Sequence, residues 1–307
     1  MTAIDLETLL SELDDNVKTE LSSMPTVDDK GDALDVAALP IVARRWHKVR
    51  DAVAVVADLK NSTKLGTGKR AASTASIYEA GTGGVVEIFD EFDADFVAIQ
   101  GDGAFALFWG DLRYERALCS GVTIKTFSLD MVERLEEKWE NLPETGFKVG
   151  VASSPLLAKR VGIPRDLDQQ EPVWAGKAVN YAAKAAQGAD RHELIVTGSV
   201  WDAIEKNDYL TMSCPCGDGP SLSIWSDVTI ERLPDGDPES EGRLLASSWC
   251  ATHGRDYCDA ILAGQKKRDD VDHLRESLMK SQYRDALRWK ARSERESVRN
   301  RRLGKVS

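Results

Sequence analysis

The chain has 307 residues, 42% of them hydrophobic and 30% charged, with a formal net charge of −11. That balance describes a folded globular protein, and so acidic a chain is poorly suited as a whole to nucleic acid or an anionic membrane. There is no apolar run of the roughly 18 residues that a membrane-spanning helix needs. The opening MTAIDLETLL lacks the basic and apolar stretches of a secretory leader, and five Cys is too sparse and odd a number for a disulfide scaffold. The expectation is a cytoplasmic protein.

Charge is unevenly placed. Residues 1–40 carry ten Asp/Glu against two Lys, and residues 266–307 carry fourteen Lys/Arg against seven Asp/Glu. An acidic head and a basic tail of this kind either pair across a dimer, engage a polyanion, or stand as solvated extensions.

In chain order, Leu6, Leu9, Leu10, Leu13 and Val17 have the spacing of an amphipathic helix over 6–21. Gly31 to Pro40 reads as a linker. Ala52-Val-Ala-Val-Val-Ala57 is a continuous apolar run of the kind that forms a strand buried on both faces, and it ends at Asp58. A helix is predicted over 69–92, weakened by Gly81, Gly83 and Gly84. Phe96-Val-Ala-Ile99 and Ala104-Phe-Ala-Leu-Phe108 flank Gln100-Gly-Asp-Gly103 and predict a hairpin. A long helix over 112–142, a strand at Lys148–Val151, a segment from Glu171 leading into a helix that ends near Ala186, and a strand at Leu194–Thr197 follow. The next helix starts at Thr197 or Ser199. This alternation predicts an α/β (α+β) fold of ferredoxin-like type, one mixed sheet covered by helices, with helical N- and C-terminal extensions.

Singly, Asp58 reads as a helix cap and Asp102 as a turn residue. If the hairpin pairs beside the first strand, however, both carboxylates emerge at one sheet edge. There they repel unless a cation compensates, and hard Mg²⁺ or Mn²⁺ suits such oxygen ligands. The segment after Asp58 turns toward a helix, so its backbone amides are candidates to hold phosphate oxygens. Paired carboxylates, two metal ions and a phosphate cradle are the parts of phosphoryl or nucleotidyl transfer.

Val-Val-Ala-Asp58-Leu-Lys-Asn-Ser-Thr63 resembles the first metal motif of the class III nucleotide cyclases, and Ala98-Ile-Gln-Gly-Asp102-Gly-Ala-Phe-Ala-Leu-Phe108 is similar to their second. Lys148-Val-Gly-Val151 and Trp174-Ala-Gly-Lys-Ala-Val-Asn180-Tyr-Ala-Ala-Lys184 resemble their later strand and transition-state helix, and Ile195-Val-Thr-Gly-Ser-Val-Trp201 the elements after it. The resemblance spans about residues 50–205. It implies a head-to-tail homodimer with two shared active sites. Asp58, the carbonyl of Leu59, and Asp102 of one protomer would bind two Mn or Mg ions, and the amides of Lys60, Asn61, Ser62 and Thr63 would cradle the triphosphate. Asn180 of the other protomer would position the ribose, while the 3′-hydroxyl attacks the α-phosphate and expels pyrophosphate.

Two departures from the family pattern matter. Lys184 stands where the family usually has Arg, keeping the charge but losing the planar fork. The base-reading positions of the purine cyclases, which carry Lys with Asp or Thr for adenine and Glu with a small residue for guanine, are Ala98 and Val173 here. A pocket that leaves a purine's polar edge unpaired selects against it. The whole is similar to the pyrimidine cyclases of the bacterial Pycsar anti-phage system. That similarity implies cyclic UMP from UTP, made on infection to activate a separate effector protein. The alternatives are a cytidylate cyclase making cyclic CMP, or a catalytically degenerate cyclase-fold nucleotide sensor.

Beyond the resemblance, three or four of the five groups Cys214, Cys216, Cys250, His253 and Cys258 could assemble a structural zinc site, although the Cys-x-Cys spacing is tighter than the usual knuckle. Cys119 reads as a core residue. The domain plan is an acidic helical extension (1–45), a cyclase domain (46–210), a subdomain carrying the Cys/His cluster (211–262) and a basic helical tail (263–307).

Overall fold

The structure, a computed structural model, describes residues 4–41, 44–163, 166–217, 219–222, 224–277 and residue 290. Apart from these, the basic tail lies outside the described residues.

The elements that build the fold are, in chain order, α1 (Leu6–Leu21), β1 (Thr26–Asp29), β2 (Arg45–Leu59), α2 (Ser62–Leu65), α3 (Ala71–Glu91), β3 (Phe96–Gln100), β4 (Gly103–Phe108), α4 (Arg113–Lys138), β5 (Phe147–Gly162), β6 (Gln170–Gly176), α5 (Lys177–Gly188), β7 (Glu193–Val196), α6 (Gly198–Ile204), α7 (Asp208–Thr211), β8 (Trp225–Thr229), β9 (Glu241–Leu245) and α8 (Gly254–Leu262). The strands form one mixed sheet in the order β3-β4-β2-β5-β7-β9-β8, with β1 paired to β2 and β6 to β5.

Alternation along β2 sorts its side chains to two faces. Val53, Val55, Ala57 and Leu59 enter a core shared with α3 and α4, whereas Ala52 and Ala54 enter a second core shared with α5. Two of the three glycines that weaken α3 as an isolated helix, Gly81 and Gly84, serve its packing. A Cβ on Gly84 would lie 2.5 Å from the Phe127 ring of α4. On the opposite face, a Cβ on Gly150 would lie 2.0 Å from the Ala182 carbonyl oxygen, so α5 reaches β5 only because that position lacks one.

Two sequence expectations, the linker and the length of the strand at Lys148–Val151, need correction. The segment 31–40 is not a free linker: Leu34 and Leu39 are buried in the α5-side core. Within residues 211–262, β8 and β9 continue the same sheet through β7. The strand expected at Lys148–Val151 is sixteen residues long, and its second half pairs with β6 to make an arm. The first helix forms over the expected residues, but none of its side chains is buried.

Candidate active site

Asp58 is the penultimate residue of β2, and the alternation that buries Ala57 and Leu59 in the α3–α4 core turns it to the α5 face. It is directly opposite Lys148 on β5, whose Nζ lies 2.6 Å from Asp58 Oδ2. Asp102 occupies the two-residue turn between Gln100 and Gly103, with Gly101 supplying the left-handed conformation (φ 66°). The turn is pressed against the end of β2. A Cβ on Gly103 would sit 2.4 Å from the Ala57 carbonyl oxygen and 3.4 Å from Asp58 Cα, so glycine is what lets the hairpin tip approach Asp58. The Leu59 side chain is buried, leaving its carbonyl as its polar contribution. The half-buried carboxylates of Asp58 and Asp102 and the Leu59 carbonyl are oxygen donors of the kind that hard divalent ions take, and in this structure the Asp58 carboxylate pairs with the Lys148 ammonium.

The loop after β2 is clamped to residues 144–146. The Lys60 amide donates to the Gly146 carbonyl (3.0 Å), Thr145 Oγ1 donates to the Lys60 carbonyl (2.8 Å), and Asn61 Nδ2 donates to the Glu144 carbonyl (2.8 Å). Lys60 is therefore removed from the expected phosphate cradle: its amide is engaged, and its ammonium pairs with Asp190 and Glu144. Asn61 adopts a left-handed conformation (φ 56°) and opens α2, so Ser62 and Thr63 begin that helix where amides lack intrahelical acceptors.

Asn180 and Lys184 lie one turn apart on α5, away from the buried Ala178, Tyr181, Ala182 and Ala185. Asn180 is exposed, and Lys184 is half-buried with Nζ 5.7 Å from the Tyr181 ring. Asp237 grips this helix, accepting from Tyr181 Oη at 2.6 Å and from Lys177 Nζ at 2.9 Å; those two bonds hold its carboxyl down to about 2. Among the described residues, no hydrogen bond or ion pair joins Asn180 or Lys184 to Asp58 or Asp102.

Ala98 faces the α5 side of β3, opposite Phe105 in register. Val173 does not join it; its side chain is exposed on the β5–β6 arm. The next residue, Trp174, points the other way and reaches that face, with its ring 4.8 Å from Phe96 and 5.7 Å from Trp109, centroid to centroid. Phe96, Ala98, Phe105 and Trp174 make an apolar, aromatic surface that motif reading missed. The signal was the period-two alternation around Val173, which assigns its neighbour to the opposite face.

Four of the five Cys/His groups singled out in the sequence converge: Cys214, Cys216, Cys250 and His253 come together. Cys258 is not among them: it lies on α8, where its thiol interacts with that of Cys119 on α4.

A mixed sheet with α3 and α4 on one face, α5 on the other, and paired carboxylates at a strand end and a hairpin tip define the class III nucleotide cyclase fold. The adenylyl cyclase CyaB from P. aeruginosa shares it (TM-score 0.53, 11% identity, 66% of this chain and 96% of that one). So does a class III adenylyl cyclase-like ATP-binding protein from Pseudomonas aeruginosa (TM-score 0.51, 16% identity, 91% of this chain and 53% of that one). No family model matches the chain. Full-length relatives do: the uridylate cyclase of Micromonospora echinofusca is 61% identical over 298 residues, 97% of each chain, and that of Propioniciclava tarda 49% identical over 298 residues, 96% of each. The chain belongs to the uridylate cyclase family.

Proposed function

We propose that this chain converts UTP to 3′,5′-cyclic UMP and pyrophosphate. The observation that carries the reading is the close approach of the hairpin tip at Gly103 to the end of β2 beside Asp58, which sets Asp58 and Asp102 at one sheet edge as candidate ligands of a dication. Manganese or magnesium ions held by Asp58, the Leu59 carbonyl and Asp102 would supply Lewis-acid activation of the 3′-hydroxyl and neutralise charge on the triphosphate. The ribose oxygen forms a bond to the α-phosphorus as the bond to pyrophosphate breaks, and the hydroxyl proton leaves to solvent. Asn180 orients the ribose, Lys184 offsets charge on the α-phosphate, and the opening amides of α2 receive phosphate oxygens.

The active site is completed in a homodimer, in which the carboxylate end of one protomer meets α5 of its partner. Exposed Ile99 at the hairpin and Val161, Ile163 and Val173 on the arm leave apolar surface for that contact. The base rests on the surface built by Phe96, Ala98, Phe105 and Trp174, which offers stacking and none of the charged pairs that read purines. Among the described residues Trp174 Nε1 has no acceptor; a donor there suits a uracil carbonyl, where cytosine presents an amino group at C4. The names of the relatives support the same base. We place the enzyme in the cytoplasm, as the source of a second messenger for a separate anti-phage effector protein, without nucleic-acid or membrane partners. No described helix is long and apolar enough to cross a membrane.

The test is product analysis by mass spectrometry after separate incubation with ATP, GTP, CTP and UTP in Mn²⁺. Cyclic UMP from UTP is expected, absent in Asp102→Asn. A cyclic purine or cyclic CMP as the main product would overturn the base assignment.

A further inference from the structure

Far along the chain from the motifs above, two segments converge beside α4. Cys214-Pro-Cys216 follows α7, and Cys250-Ala-Thr-His253 leads into α8. Their ligand atoms, Cys214 Sγ, Cys216 Sγ, Cys250 Sγ and a His253 ring nitrogen, all lie within 4.8 Å of one another. His253 Nδ1 is 3.4 Å from Cys216 Sγ and 3.5 Å from Cys250 Sγ. Around a tetrahedral zinc, with Zn–S near 2.3 Å and Zn–N near 2.0–2.1 Å, the sulfur-to-nitrogen separation is about 3.6 Å. The His253 amide also donates to Cys250 Sγ at 3.1 Å, a bond that favours a charged sulfur acceptor.

We propose that Cys214, Cys216, Cys250 and His253 bind one structural zinc ion per chain. Four protein ligands complete a tetrahedron and leave no position for substrate or water, which separates this centre from the oxygen-ligand ions of the cyclase reaction. Cys258 takes no part, since its thiol is not among the ligand atoms that converge.

The surroundings show what the ion would do. The segment 246–250 hangs from α4 by two bonds: Lys125 Nζ donates to the Ala246 carbonyl (2.8 Å), and the Trp249 amide donates to Thr126 Oγ1 (3.1 Å). Between this segment and the loop after α7 lies a cavity of 120 Å³ lined by Met212, Cys214, Ser247 and Trp249 among others. Packing therefore leaves the two strands of chain loosely joined, and a metal cross-link closes them.

The experiment is metal analysis of the untagged full chain purified without chelator, followed by cobalt(II) exchange. One zinc per chain is expected, with cobalt giving the intense visible bands of a tetrahedral thiolate site. Cys216→Ser and Cys250→Ser should each lose the metal, and Cys258→Ser should keep it. If the Cys variants prove insoluble, His253→Cys should retain zinc with an altered cobalt spectrum and His253→Ala should not. Chelation should lower the melting temperature by several degrees. A metal-free protein that develops no cobalt bands would overturn the proposal, as would zinc retained in both Cys216→Ser and Cys250→Ser or in His253→Ala, or an unchanged melting temperature after zinc removal.

Discussion

Lys148 on β5 and Asp58 on β2 face each other across paired strands, ammonium to carboxylate at 2.6 Å. The lysine holds the isolated carboxylate in place, and it also sets a positive charge where a divalent ion must settle. Replacing it by a neutral residue of similar length removes that repulsion. Lys148→Met is expected to lower the half-saturating Mn²⁺ concentration roughly tenfold, about 1.4 kcal/mol, because a partly solvated site screens most of the Coulomb energy. The metal dependence of turnover reads this separately from the maximal rate. An unchanged or higher metal requirement would contradict the role given to Lys148.

Gly103 holds the hairpin tip against β2. Gly103→Ala places a Cβ 2.4 Å from the Ala57 carbonyl oxygen, and neither backbone can yield cheaply. A stability loss of about 1–3 kcal/mol is expected in urea unfolding, with a larger loss of activity as Asp102 moves from Asp58. Gly83→Ala on α3, where a Cβ meets nothing within 4 Å, should leave both intact or gain slightly from helix propensity.

Trp174 brings to the Ala98 face an aromatic ring and a donor that has no acceptor among the described residues. Trp174→Phe keeps the ring and removes the donor. The ratio of kcat/KM for UTP over CTP should fall by roughly tenfold, the scale of one lost polar contact in discrimination. An unchanged ratio would place base selection elsewhere.

Lys125 is buried on α4, and burial lowers its pKa from 10.5 to about 8. Between those values the unfolded chain binds a proton that the folded chain does not, so stability rises with pH over that window. The penalty for the buried charge, about 3 kcal/mol, is present in full below the lower value and is relieved above it. Urea midpoints of the wild type should therefore climb from pH 8 to pH 10.5, and those of Lys125→Met should lack that rise.

The parts of this molecule that short patterns specify were legible in the sequence. The apolar run ending at Asp58, the Gly-Asp-Gly hairpin and the helix carrying Asn180 and Lys184 each announce themselves within a dozen residues. The rest depends on partners distant in the chain. Nothing local to 225–245 says that its two strands add to the edge of β7, and nothing local to Leu34 or Leu39 says that the sheet buries them. Lys60 looks like a phosphate ligand until Asp190 and Glu144 are brought beside it. Cys258 reads as one of a cluster with Cys250 and His253 until α8 turns it toward Cys119.

The composite active site is tested most directly by mixing two dead enzymes. Asp102→Asn lacks the carboxylate end and Asn180→Ala lacks the ribose-positioning end, so each homodimer alone should make no cyclic UMP from UTP. Co-refolded or co-expressed, their mixed dimers should regain activity, because one of the two interfaces then carries both Asp102 and Asn180 intact. Silence from a mixture shown to contain mixed dimers would contradict a site shared between protomers.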